Sequence, residues 1–264
     1  MNNDAIKDIL LSLEEPPLDF SVIMSGKKSR KVNGLYKVAE REIILHNKNF
    51  SDDNLLVYTA IHEYAHHLHC CKNGGRLSAR AHTTEFWAIF HSLLEKAESK
   101  NIYKNAYNES PELAALTEEI REKYIKQNGA LFIELGGSLK RAHELCEEAG
   151  LRFEDYIDRV LRLPRAAARI AIKSSALRLD PALGSDNMRF VAGIANPLER
   201  EAAQRAILGG KSPDTVKMTF GKANSGEEPR EKLEKEKTRI IRTIDSLSGR
   251  LKEIDERLSR LPSE

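Results

Sequence analysis

Near the start of the chain the spacing of apolar residues changes from a helical pattern to a strand pattern. Residues 4–14 carry apolar side chains at helical spacing. Residues 20–24 and 35–46 contain short apolar runs that predict strands, and the basic turn of residues 26–31 separates them. The pattern therefore predicts one helix followed by a short antiparallel sheet.

Two further helices are predicted after these strands. The first covers LVYTAIHEYAHHLH, which is apolar enough at its start to be buried. The second begins after Thr83 or Thr84, either of which can cap it, and Glu85 in its first turn suits the helix dipole. Its apolar face consists of Phe86, Trp87, Ile89, Phe90, Leu93 and Leu94. The sheet is expected to lie over these two helices.

Helical spacing dominates the middle of the chain. Pro111 follows a polar stretch at 101–110 and marks a domain boundary. From residue 112 to about 218 the apolar residues recur at helical spacing throughout. We therefore expect an α+β domain at 1–108 and an all-α domain at 109–220, so the chain as a whole is mostly helical.

The C-terminal segment carries a seven-residue repeat. Residues 221–229 read as a flexible linker, and 227–264 as a coiled coil that makes a homodimer. A single helix that folds back on the body is the alternative. The apolar residues of the repeat form the seam along which two such helices would pack. They are Leu233, Ile240, Leu247, Ile254 and Leu261, with Ile244, Leu251 and Leu258 between them.

Composition narrows the functional classes. Lys and Arg number 42 against 40 Asp and Glu, so any nucleic-acid binding must use a local patch. No apolar run approaches the roughly 20 residues that span a bilayer, and the N-terminus lacks a signal-peptide layout. The 3 cysteines, two of them adjacent, do not form a disulfide framework. These features predict a cytoplasmic protein without a membrane segment.

The run His62-Glu63-Tyr64-Ala65-His66 carries the candidate chemistry. Residues four apart on a helix share a face, so the two imidazoles can coordinate one metal ion. A zinc ion held there would acidify a bound water, and Glu63 is placed to take its proton. The alternative is a polar helix face with surface histidines. The apolar residues before His62 favour the metal site.

A hydrolytic zinc site needs a third protein ligand. His82 is our candidate, because it stands just before the second helix, which would hold it rigidly. Glu85 is the alternative ligand. His67 and His69 follow His66 by one and three residues, so we expect them to face solvent or a loop.

These motifs resemble those of a known family. HEYAH, a short loop and then His-Thr-Thr-Glu-Phe-Trp are similar to the SprT-like metallopeptidases and the related YgjP-like proteins. The resemblance covers residues 15–100 and implies a zincin-like fold, with His62, His66 and His82 as zinc ligands and Glu63 as general base. This sequence departs from many SprT-like proteins at Thr83, where those proteins have Gly. A C-terminal zinc ribbon is absent.

A second group of residues indicates binding to nucleic acid. One helix is predicted to end near Leu161, and a Leu-Pro turn then leads into an Ala- and Arg-rich helix that begins at Arg165. This arrangement resembles a helix-turn-helix, in which the second helix enters the DNA major groove. The candidate DNA contacts are Arg162, Arg165, Arg169 and Lys173. A helical hairpin with solvated arginines gives the same pattern.

Two functions compete on this basis. The first is a peptidase with one zinc ion that acts on protein or peptide substrates, directed to DNA-bound proteins if the arginine-bearing helices bind DNA. The alternative is a DNA-binding regulator, or a phage- or plasmid-type protein, whose metal domain is sensory or structural. For the peptidase, Tyr36 and Tyr64 are the candidate oxyanion-stabilising side chains.

Overall fold

A short N-terminal helix begins the fold as predicted. The computed structural model describes residues 1–76, 81–107, 109–221 and 229–259. Helix α1 (Asn3–Leu13) starts after Asn2, whose side chain accepts a hydrogen bond from the Ala5 N–H at 2.9 Å. Its buried residues are Ile6, Leu10 and Leu13, spaced as the sequence indicated.

The three strands form a mixed sheet rather than the antiparallel sheet that was predicted. Strands β1 (Ser21–Met24), β2 (Gly34–Lys37) and β3 (Glu42–Leu45) lie in the order β1-β3-β2. β2 and β3 form an antiparallel hairpin, whereas β1 pairs with β3 in parallel. The prediction was wrong because apolar alternation identifies the buried face of a strand and carries no information on its neighbour's direction.

Two long helices follow this sheet, and only the first packs closely on it, whereas the second packs on the first. The expectation that the sheet lies over both helices was therefore wrong for the second. Helix α2 (Asp53–Lys72) begins after Asp52, whose side chain accepts from the Leu55 N–H at 2.9 Å. Helix α3 (Thr84–Ser99) begins after Thr83, whose hydroxyl accepts from the Phe86 N–H. α2 is buried on nearly all sides because the sheet, α1 and α3 surround it. It is therefore the central element of the N-terminal core.

The middle of the chain is helical, as predicted. Helix α7 begins at Arg165, and residues 120–126 and 156–160 wind more widely as π-helical turns. Short 3₁₀ turns lie at Asn47–Asn49 and Pro181–Leu183. The helices are α4 (Pro111–Glu119), α5 (Gln127–Glu148), α6 (Phe153–Asp155), α7 (Arg165–Ala176), α8 (Gly184–Gly193), α9 (Pro197–Leu208) and α10 (Pro213–Phe220).

Close packing of α5 on α7 depends on a glycine. A methyl group at Gly136 would lie 2.1 Å from the carbonyl oxygen of Ala171, which is backbone and cannot move aside. The neighbouring Gly137 has open space, with Ser175 Oγ at 3.8 Å as its nearest contact. The two adjacent glycines therefore differ sharply in what a larger residue would meet.

We expect Gly136→Ala to destabilise the fold by about 1–3 kcal/mol, because the added methyl forces the two helices apart. Gly137→Ala is the matched control and should be neutral or stabilise by up to about 1 kcal/mol, since alanine is the better helix former. Urea unfolding followed by circular dichroism measures both. Equal effects of the two substitutions would contradict the proposed close contact.

Residues Met1–Gly221 form one unit and Lys222–Glu264 a second. Within the first unit α10 packs on α3, so the helical region contacts the N-terminal core. The boundary predicted near residue 108 stays a prediction. The predicted linker lies mostly outside the described residues, since 222–228 are not among them.

The described part of the second unit is helix α11 (Pro229–Ser259). Its described seam residues are all exposed, from 46% at Ile254 to 61% at Leu247. The side chains of Leu233, Leu258 and Leu261 lie outside the described residues. None of the helices in the described ranges has a stretch apolar and long enough to cross a bilayer.

Candidate metal centre

Three histidines from two helical segments come together beside the N-terminal core. His62 and His66 lie one turn apart on α2, and His82 precedes α3. One ring nitrogen from each lies within 4.8 Å of the other two. These are the three residues that the sequence selected, and they are close enough to hold one metal ion.

The spacing within the cluster fits a tetrahedral metal. The Nε2 atoms of His62 and His82 are 3.3 Å apart. Nitrogens bound about 2.0–2.1 Å from a tetrahedral zinc ion stand roughly 3.3 Å from one another. Three imidazoles are also a donor set that suits zinc. The residues present therefore fit a zinc ion.

Phe86 positions the rings. Its side chain is fully buried and stacks on His66 with the ring centres 4.3 Å apart. It also touches His82 at 4.7 Å and His62 at 5.0 Å. Trp87 also packs against His82, with the ring centres 5.4 Å apart. The aromatic start of α3 thus fixes all three imidazoles, although His82 itself is exposed.

Burial keeps two of these rings neutral. Burial, together with a smaller effect of the neighbouring imidazoles, lowers the pKa of His62 to about 4 and that of His66 to about 3. A neutral imidazole presents a free lone pair, which is the form that binds a metal. At neutral pH His62 and His66 are therefore in the form that binds a metal.

Glu63 is buried between α2 and β2. Burial raises the pKa of its carboxyl to about 7, and a backbone hydrogen bond from Tyr36 opposes the shift. A methyl group at Gly34 would lie 2.8 Å from Glu63 Cγ and 2.9 Å from Thr59 Cγ2. Only glycine at residue 34 lets β2 approach the glutamate so closely.

Sequence reasoning did not identify this role of Gly34. The signal was the Asn33-Gly34 pair at the start of a strand, because a glycine in a strand often marks close approach of another group. The pattern alone could not show that the approaching group is Glu63. That contact joins two segments almost thirty positions apart in the sequence.

The side of β2 that faces away from β3 pairs with no other strand of the described sheet. The His46 N–H donates to the Asn33 carbonyl at 2.9 Å, which marks that pair as hydrogen-bonded. Bonded and non-bonded pairs alternate along antiparallel strands, so Gly34 and Tyr36 turn their backbone groups away from β3. β2 is the edge strand on that side of the sheet. Its free edge therefore begins at the residue that contacts Glu63.

Glu85, the alternative ligand, lies outside the three-histidine cluster. Its Oε2 atom is 3.4 Å from Nε2 of His69, and the Thr83 hydroxyl is 3.3 Å from the same nitrogen. His69 is only 1% exposed, so of the two surroundings expected for it, solvent or a loop, solvent is excluded. The reason is that α2 is buried on nearly all sides and has no solvated face at this position.

His67 is also buried and faces a loop. One ring nitrogen lies 2.9 Å from the Tyr36 hydroxyl and the other 2.9 Å from the Leu18 carbonyl. The hydroxyl of Tyr64 donates to the Glu14 carbonyl at 2.5 Å. Both tyrosine hydroxyls named as oxyanion candidates are therefore engaged by other groups.

The candidate DNA contacts lie in and just before α7. Arg162, Arg165, Arg169 and Lys173 are all exposed. Arg165 donates from Nε to Asp158 at 2.6 Å. Arg165 and Arg169 also line a pocket of about 290 Å³ whose walls include Phe153 and Ile157. Binding of DNA by these residues stays a prediction.

No family model, curated protein or solved structure matches this chain. The structure defines a mostly helical protein with a small mixed sheet and a three-histidine cluster that can hold a metal ion. Its chemistry must therefore be argued from the geometry of the site.

Proposed function

We propose that this protein is a zinc-dependent metallopeptidase of the SprT-like kind. The observation that carries the proposal is the convergence of His62, His66 and His82, with the buried Glu63 directly after His62 on α2. A metal site that serves only structure is closed by four protein ligands, whereas a hydrolytic one has three and leaves a position open. Three histidines fit the second kind.

Each residue has a defined task in this reaction. The three imidazoles would hold a zinc ion, which would supply a Lewis acid for the substrate carbonyl and for a water molecule. Glu63 accepts a proton from the attacking water at its carboxylate and passes it to the leaving amine. Burial beside β2 confines this carboxylate, so the proton acceptor is held in place.

The free edge of β2 is the binding position that we propose for the substrate. The backbone C=O groups of Gly34 and Tyr36 and the N–H of Gly34 can pair with an extended peptide, which adds a strand to the sheet. The Tyr36 N–H is already donated to Glu63. Because Gly34 also contacts Glu63, a peptide bound there would pass directly by the proton acceptor.

Digestion of an unfolded protein tests this function. We expect the purified chain to hydrolyse casein, to lose this activity when a chelator removes the metal, and to regain it when zinc is restored. The readout is the appearance of new peptide N-termini by mass spectrometry. Metal-loaded protein that leaves casein intact, together with a range of other unfolded substrates, would contradict the proposal.

We also propose that α11 pairs with a second copy as a coiled coil. The exposed isoleucines and leucines of its seam recur at heptad spacing, and a partner helix would cover them. Removing residues 227–264 should reduce the mass measured by light scattering from dimer to monomer and leave the metal content unchanged. An unchanged mass would contradict the dimer.

A further inference from the structure

The loop that leads into β2 carries a dense group of positive charges. Lys27, Lys28, Arg30 and Lys31 are all exposed, and within the described ranges no carboxylate forms an ion pair with any of them. The whole chain has a formal net charge of only +2. We call residues 26–33 the basic loop; it contains no acidic residue to offset these charges.

Two asparagines of the 3₁₀ turn that follows β3 (Asn47–Asn49) hold the basic loop in place. Asn49 Oδ1 accepts from the Ser29 N–H at 2.9 Å, and Asn49 Nδ2 donates to the Ser29 carbonyl at 2.8 Å. Asn49 Nδ2 also donates to Asn33 Oδ1 at 2.9 Å. Asn47 Oδ1 accepts from the Gly26 N–H at 2.9 Å. These bonds fix the loop backbone, so its charges are presented without a large ordering cost on binding.

The basic loop continues directly into the free edge of β2. Val32 and Leu35, on either side of Gly34, are each 46% exposed. A peptide paired with Gly34 and Tyr36 that extends beyond the start of β2 would pass the end of the basic loop, where Lys31 and Val32 lead into the strand. The positive charges, the exposed apolar side chains and the free strand edge follow one another directly along the chain.

We propose that the basic loop selects peptides that carry aspartate or glutamate next to the segment paired with β2. The inference deepens the proposed peptidase function and rests on it. Complementary charge is the reason for the acidic preference. A strand edge matches the hydrogen-bonding groups of a peptide backbone, which favours a polypeptide over a nucleic acid as the bound chain.

Peptide binding to the full chain carrying Glu63→Gln tests this inference, since that variant leaves the peptide intact. Fluorescence anisotropy would compare one apolar extended segment flanked by acidic residues, by lysines or by serines. We expect the acidic peptide to bind about tenfold more tightly than the lysine peptide, and the difference to shrink in about 0.5 M NaCl.

Charge reversal assigns the preference to the loop. Lys27→Glu with Lys28→Glu should abolish or invert it. Lys140→Glu with Lys211→Glu is the matched control, because both lysines are exposed, have no described ion pair and lie outside the loop. The control should keep each peptide affinity within about twofold of the parent.

Three results would overturn the inference. These are equal binding of all three peptides, a preference that survives the Lys27/Lys28 reversal, or a reversal that abolishes binding of duplex DNA while no peptide preference exists. Casein digestion judges the peptidase function separately. A preference confirmed in a chain that digests nothing would support the acidic-peptide surface and reject the hydrolytic activity.

Discussion

Replacing Glu63 with Gln is expected to lower peptide hydrolysis by about a hundredfold to ten-thousandfold, the usual contribution of a general base. Gln keeps the size of the side chain, so the fit against Gly34 is preserved. It cannot accept the proton from the attacking water. Casein digestion measures the loss, and metal analysis should show unchanged zinc content.

Glu85→Gln is the matched control for this experiment. Glu85 is a nearby carboxylate on the neighbouring helix, and it lies against His69 rather than within the histidine cluster. Its substitution should reduce activity far less than Glu63→Gln does. Full activity in Glu63→Gln would remove the glutamate from the mechanism. A loss of zinc in Glu63→Gln would show instead that this carboxylate supports metal binding.

Replacing His66 with Ala is expected to weaken zinc binding by at least about a hundredfold. Loss of a group that merely orients a ligand already costs 10–100-fold, and loss of the ligand itself costs more. His66 is buried against Phe86, so no solvent-exposed side chain can move in to replace it. Competition with a chromogenic chelator measures the affinity.

His82→Ala should weaken binding in the same way, and Glu85→Ala should not. The histidine completes the triangle with a nitrogen 3.3 Å from that of His62, whereas the glutamate contacts His69. A thermal readout separates metal loss from misfolding. A chelator should lower the melting temperature of the parent chain and leave that of His66→Ala almost unchanged, because only the parent has metal to lose. The reverse pattern, with Glu85→Ala losing zinc, would reassign the third ligand.

Local features of the site were readable from the sequence. His62 and His66 share a helix face because they stand four residues apart, and that relation holds wherever the helix forms. Thr83 caps α3 as predicted, since capping depends only on the first turn of the helix. His82 was placed correctly because a short segment links it to α2 and limits how far it can move away.

Contacts between segments that are distant in the chain could not be predicted from the sequence in this way. His69 was expected to face solvent or a loop, because it stands three residues after His66 and off the metal-binding face. In the structure α2 is the central helix, so His69 is buried and lies against Thr83 and Glu85. Helical periodicity describes the faces of a helix, and neighbouring elements decide which of those faces remain exposed.

By itself the sequence determined the helices, the short strands, the pairing of two imidazoles on one turn and the basic run before β2, because each depends on neighbours within a few residues. Only the tertiary structure decided that β1 runs parallel to β3, that Gly34 lies against Glu63, and that β2 lies at an edge of the sheet. These relations depend on how segments far apart in the chain pack together. Many packings satisfy the same local pattern, and only the balance of contacts over the whole core selects one of them.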